Sequence, residues 1–155
     1  MRRRPLEPSR GNHKVRVLFV CIGNAVRSQM AEAFARTYGS DVIEPYSAGV
    51  YPASTIAPLT LKVLHDRGID ATHQYPKSIA DAPGAPWDYV VNMSGQQLVT
   101  ETTSAKLRDW TVKDPMGGPE AGFAAAASRI ESLVMNLIIE LRSQMNSAAP
   151  AAGRP

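Results

Sequence analysis

Cys21 is the only thiol in a chain of 155 residues, and Arg27 stands six positions after it with Ser28 directly behind. A thiolate is a strong nucleophile that can form a covalent intermediate. A guanidinium presents a planar fork of donors that grips two oxygens of a tetrahedral dianion. Held close together, the two side chains would bind and attack an oxyanion such as a phosphoryl group. The plainer fate of a lone cysteine is a small buried hydrophobe, so the elements around the pair decide between the readings.

Val15, Val17, Leu18, Phe19 and Val20 form an apolar run rich in β-branched and aromatic residues, the pattern of a strand buried on both faces. From Ser28 onward, Met30, Ala31, Ala33 and Phe34 recur among Gln29, Glu32 and Arg36 with helical spacing. Cys21 to Arg27 is therefore a strand-to-helix loop. A helix N-terminus leaves N–H groups unpaired and carries partial positive charge, so Ile22, Gly23, Asn24, Ala25 and Val26 can wrap an oxyanion with their amides, beside Ser28. Gly23 and Asn24 both tolerate the positive φ that such a ring requires. The same amides would favour a Cys21 thiolate. A nucleotide-binding glycine loop is excluded, because neither Gly-Lys-Ser/Thr nor Gly-x-Gly-x-x-Gly occurs.

Further along, residues 41–47 (DVIEPYS) read as a second strand whose Pro45 suits a sheet edge. Residues 57–67 read as a short amphipathic helix closed by Gly68, as the first helix is closed by Gly39. Residues 70–86 are irregular, 87–93 (WDYVVNM) give a central third strand, 94–104 a short helix and a loop, and 106–112 a fourth strand. From Pro119, apolar residues from Phe123 to Leu141 mark a long amphipathic helix. Strands alternating with helices imply a parallel α/β sheet covered on both faces, with functional loops beyond the carboxyl ends of the strands. Cys21 and Asp114 both follow strands and can meet there. Asp114 precedes Pro115, which holds it extended; an ordinary Asp-Pro turn is the alternative.

Composition bounds the rest. The chain has one domain's length and 44% hydrophobic residues. A single cysteine rules out an internal disulfide, no apolar run suggests a membrane span, and no signal-like segment opens the chain, so the expected location is cytoplasmic. Basicity is local: residues 1–16 hold six basic residues and one acidic, whereas the remaining 11 basic and 13 acidic residues leave a net −2. No nucleic-acid surface is expected. Residues 1–13 and 147–155 read as disordered tails around a domain at 14–146. His13 and His65 lack ligand-like neighbours, so neither a metal site nor a cofactor is expected.

The stretch VLFVCIGNAVRSQMAE resembles the low-molecular-weight protein tyrosine phosphatases and the arsenate reductases built on the same fold. The resemblance spans about residues 14–145. It implies a three-layer α/β domain with a four-stranded parallel sheet in the order 2-1-3-4 and helices on both faces. It also implies a phosphomonoesterase acting on phosphorylated protein, phosphotyrosine in particular, or on small phosphate esters, through a phosphocysteine on Cys21. Arg27 would stabilise the transferring group and Asp114 would serve as general acid and base. In that family a loop asparagine, the serine after the arginine, a serine closing the second strand and a distant histidine share a supporting network. They correspond here to Asn24, Ser28, Ser47 and His73.

Three departures qualify the match. Val26 stands where many of the phosphatases have a second cysteine. Met116 and Gly117 replace the tyrosines that often flank an aromatic substrate, leaving Tyr51 as a candidate aromatic wall. Met93-Ser94-Gly95 holds none of the further cysteines of thioredoxin-coupled arsenate reductases. Arsenate reduction with an external thiol or glutaredoxin is thus the second reading. A phosphate-binding module without turnover is the third.

Overall fold

The computed structural model describes residues 13–98 and 104–148. The tail segments 1–12 and 149–155, and the residues 99–103 of the expected short helix, lie outside the described residues. Among the described residues seven elements follow in order: β1 (Val15–Cys21), α1 (Arg27–Gly39), β2 (Ile43–Gly49), α2 (Pro58–Asp66), β3 (Tyr89–Asn92), β4 (Lys106–Asp109) and α3 (Glu120–Ala148). The strands form one parallel sheet in the order β2-β1-β3-β4, the expected 2-1-3-4 arrangement.

β1 is the central strand because it can be buried on both faces: Val17, Leu18, Phe19 and Val20 are fully inaccessible. It pairs with β2 from Val15↔Ile43 to Cys21↔Gly49, and with β3 from Val17↔Tyr89 to Val20↔Asn92. Pro45 lies opposite Val17 on the edge strand β2, where its missing N–H faces away from the ladder.

Alternation along β1 divides the core. Val17, Phe19 and Cys21 join the larger cluster with Met30 and Phe34 of α1, Val63 and Leu64 of α2, and Ile130, Val134, Ile138 and Leu141 of α3. Leu18 and Val20 face a smaller cluster with Ala48, Ala82, Trp87 and Val90. The cover of that second face differs from the expected helix layer: among the described residues it is the irregular segment before β3, anchored by Tyr46 edge-on to Trp87 at 5.1 Å. The prolines at 76, 83 and 86 leave that segment no helix to form.

Several local expectations are corrected. Residues 94–96 form bends and 97–98 irregular chain rather than the start of a helix, with Gly95 at φ +76°. Gly39 is no left-handed cap; it is the last residue of α1, and a Cβ there would sit 2.7 Å from Ile138 of α3. Its value is close helix packing. Ser147 still belongs to α3, which continues past Met145 as far as Ala148. By length and composition α3 could cross a membrane. Its apolar stripe, however, fills the core against α1.

Candidate active site

At the carboxyl end of β1 the chain leaves the sheet and turns around a small cup of about 20 Å³, lined by Cys21, Gly23, Ala25, Val26, Arg27, Asp114 and Met116. The turn is held from outside. Four N–H groups of the segment after β2 donate to its carbonyls: Val50 to Cys21, Tyr51 to Ile22, Ala53 to Gly23 and Ala57 to Ala25, at 2.8–3.1 Å. The buried Thr60 hydroxyl donates to the Ala25 carbonyl as well, at 2.9 Å. With the carbonyls committed outward, the amides of the loop are left to face the cup. Val26 caps α1 without any side-chain acceptor, so the first-turn N–H groups also remain available to an anion.

Asn24 carries the tight bend at φ +51°. Gly23, also expected in that region, is not among the positive-φ residues; one left-handed residue suffices. Asn24 is wholly buried and its amide is oriented without ambiguity, because Oδ1 accepts the Lys77 N–H at 2.9 Å. Nδ2 then donates to Ser28 Oγ at 2.7 Å, and Ser28 Oγ lies 2.9 Å from Cys21 Sγ. Since Ser28 Oγ accepts from Asn24, its own proton is free to point at sulfur. The Ser28 N–H adds a weaker contact to Sγ at 3.4 Å. The sulfur thus faces two donors of this network.

Arg27 is 6% exposed and pinned across the ends of the sheet: Nη1 donates to the Met93 carbonyl at 2.7 Å and to the Val112 carbonyl at 3.0 Å. Nη2 lies 3.4 Å from Asp114 Oδ2. Nε is buried without a partner. An unpaired guanidinium N–H costs about 1–3 kcal/mol in a protein interior, and an oxyanion in the cup would supply the missing acceptor. Asp114 leans over the same cup from the loop after β4, its other oxygen accepting the Met116 N–H at 3.0 Å. Almost half of its side chain is exposed, so it can exchange protons with solvent.

Cys21, Ile22, Gly23, Asn24, Ala25, Val26, Arg27, Ser28 and Asp114 are therefore brought together. Three expected residues are not. Tyr51 reaches the loop only through its backbone; the residue is 70% exposed and does not line the cup. Ser47 is buried, but its hydroxyl donates to Glu32 at 2.5 Å rather than to the loop. His73 is exposed and makes no hydrogen bond among the described residues. Its neighbour Gln74 is the inward-facing residue, for Gln74 Nε2 donates to Gln29 Oε1 at 2.6 Å, and Gln29 Nε2 donates to the Asn24 carbonyl at 3.0 Å. The inward-facing role thus falls one position after the histidine that the family resemblance implies.

Residues that sequence reasoning missed thus include Gln29, Gln74, Thr60 and Gly49. Only Gly49 left a signal, as the glycine closing β2. A Cβ there would stand 2.8 Å from the Ile22 carbonyl oxygen and 2.9 Å from the Asn24 nitrogen. Behind the loop, Lys77 bonds the Ser47 carbonyl at 3.3 Å and lies 4.4 Å from the Tyr75 ring centroid. Burial pushes its ammonium below the ordinary lysine value, offset in part by Glu32. Among the described residues no cluster of histidine, cysteine and carboxylate groups could hold a metal ion.

The family model for low molecular weight phosphotyrosine protein phosphatase matches residues 16–147, which take in all four strands but for Val15, and the whole cup. The chain belongs to that family. Among characterised relatives, a glutaredoxin arsenate reductase of Synechocystis is 31% identical over 129 residues, covering 81% of this chain and 98% of its own. A protein-arginine-phosphatase of Geobacillus stearothermophilus is 30% identical over 144 residues, covering 83% of this chain and 97% of its own. Among solved structures, an arsenate reductase in its phosphate-binding state superposes with a TM-score of 0.76 at 30% identity, covering 82% of this chain and 98% of that one. The low-molecular-weight phosphatase fold therefore carries both phosphatases and arsenate reductases at similar distance from this sequence.

Proposed function

We propose that the chain hydrolyses phosphate monoesters, with phosphotyrosine in proteins as its substrate class, through a phosphocysteine on Cys21. The observation that carries this reading is the pairing of a loop whose carbonyls are satisfied from outside with the buried, unpartnered Nε of Arg27, on the same cup as Cys21. In the first step Sγ attacks phosphorus and the P–O bond to the leaving group breaks. The departing oxygen takes the proton of Asp114, which must start protonated. In the second, the Asp114 carboxylate removes a proton from water, whose oxygen attacks phosphorus and displaces Sγ as phosphate leaves. Arg27 and the loop amides stabilise the equatorial oxygens in both steps. No metal or cofactor enters this scheme.

A fold domain from residue 14 through the end of α3, with residues 1–13 and the stretch after Ala148 as tails, and a cytoplasmic location complete the proposal. The family match over 16–147 supports the first. The lone thiol, which such a mechanism needs reduced, supports the second.

The direct test is steady-state hydrolysis of p-nitrophenyl phosphate in EDTA and reductant by the wild type and by Cys21→Ser. Turnover that the substitution abolishes is expected. Turnover retained by Cys21→Ser would end the covalent mechanism. Arsenate reduction is the second reading, supported by the Synechocystis relative and by the geometry of a cup that suits arsenate as well as phosphate. With one cysteine in the chain, the Cys21 adduct would have to be resolved by an external thiol such as glutathione or by glutaredoxin. Arsenate-dependent consumption of a thiol-linked reductant tests it.

A further inference from the structure

A second and larger cavity, about 630 Å³, opens beside the cup, and Asp114 and Met116 line both. A side chain with its phosphate in the cup would pass Met116, itself 52% exposed, on its way into this groove. One wall is the loop after β4 and the other is the first turns of α3. Gly117, Gly118 and Gly122 keep bulk out of it, while Val112, Pro115 and Ala126 give it an apolar floor. A trough of backbone and small apolar residues suits an extended peptide.

Two cations, Lys113 and Arg129, also line the groove, and both are exposed. Elsewhere on the molecule Arg16, Arg36, Lys62, Arg67, Arg108 and Arg142 each hold a carboxylate. Among the described residues Lys113 and Arg129 are in no ion pair. The two carboxylates closest to them in the loop and helix start are already engaged, Asp114 with Arg27 and Glu120 with Lys62. The groove therefore carries uncompensated positive charge next to a site that binds a dianion. We propose that it receives the segment flanking the phosphorylated residue of a protein substrate, and that Lys113 and Arg129 select segments bearing aspartate or glutamate. This deepens the phosphatase reading and rests on it.

Two phosphotyrosine peptides of equal length test the assignment, one with glutamates flanking the phosphotyrosine and one with glutamines in their place. The wild-type chain should show a kcat/KM for the acidic peptide roughly fivefold to tenfold higher at low ionic strength, with the advantage shrinking as salt screens the charges. The double variant Lys113→Gln/Arg129→Gln should lose the advantage and keep its kcat/KM for p-nitrophenyl phosphate, which is too small to reach the groove. Equal treatment of the two peptides by the wild type would overturn the proposal. So would a preference that survives in the double variant.

Binding to Cys21→Ser, read by fluorescence anisotropy of the labelled peptides, separates this test from the catalytic one. A chain that fails to turn over p-nitrophenyl phosphate contradicts the phosphatase reading, yet tighter binding of the acidic peptide through Lys113 and Arg129 would still assign the groove. If the two cations instead set the affinity for glutathione and not for the acidic peptide, the groove belongs to a thiol and the proposal falls.

Discussion

The two loops that meet at the cup are built in opposite ways. From Asn24 to Ser28 every residue is 6% exposed or less, and the turn is held by four backbone bonds from the segment after β2, by Thr60 and by Asn24, Gln29 and Lys77. The loop from Lys113 to Pro119 is exposed at all positions but Pro115, and it is fixed by few contacts. These are Met116 N–H to Asp114, Gly118 N–H to Pro115, and the reach of Arg27 toward Asp114. The contrast follows from the two tasks. Oxyanion stabilisation depends on donors already in place before charge develops, so that loop is over-determined. Proton transfer and recognition of a varied leaving group require access to solvent and room to adjust, so the acid sits on a loop that can yield.

That difference is open to attack, beginning with the rigid side. Peroxide should abolish activity, and later dithiothreitol should recover little of it, because Val26 is buried where a second thiol could trap the sulfenic acid and the chain holds no other cysteine. Full recovery by dithiothreitol, with no other thiol present during the oxidation, would contradict this. Arg27→Lys keeps the charge but loses the fork, and should lower kcat about 10³-fold. A near-normal kcat would mean that the pinned guanidinium is not the anion clamp.

On the yielding side, Asp114→Asn should slow hydrolysis of poor leaving groups by about 10²-fold, and that of p-nitrophenyl phosphate much less. Equal losses for both would remove the acid role. Gly49→Ala probes how far the rigid loop can give: its new methyl meets backbone atoms, which should cost about 1–3 kcal/mol of unfolding free energy in denaturant titration and lower kcat with it. An unchanged midpoint would show that the loop is softer than its bonds suggest.

The smallest expected effect lies away from both loops. Arg108 bonds Glu140 through both guanidinium nitrogens and holds its carboxyl below the ordinary value. A lowered carboxylate pKa contributes stability that is present above the unfolded value and lost as pH falls through the folded one. The pair is about one-third exposed, so Glu140→Gln should cost at most about 1 kcal/mol at neutral pH, and the difference from wild type should fade on acidification. A difference that grew toward acid pH would refute the assignment.

The sheet order and the meeting of Cys21 with Asp114 were legible because both rest on strong one-dimensional signals. These are an unbroken β-branched run ending at Cys21, and a family motif whose spacing survives intact. The support of the loop was not. Thr60 and Gln29 act through a hydroxyl and an amide on helices where such residues are ordinarily unremarkable, and nothing in their spacing announces a buried acceptor. His73 failed for a related reason: spacing places a residue within a turn but not the direction of its side chain, and Gln74 faces inward instead. Over the second face the described residues supply an irregular segment, in which the prolines at 76, 83 and 86 oppose a helix, and part of the helix expected after β3 lies outside the described residues.

The covalent intermediate is the centre of the account. Rapid-quench mass spectrometry of Asp114→Asn mixed with p-nitrophenyl phosphate addresses it most directly, since the variant lacks the base that activates water and should accumulate the adduct. The expected result is a phosphoryl increment on the peptide carrying Cys21, formed with a burst of p-nitrophenolate and absent from Cys21→Ser. Continued turnover with no increment on that peptide, or an increment on another, would contradict it.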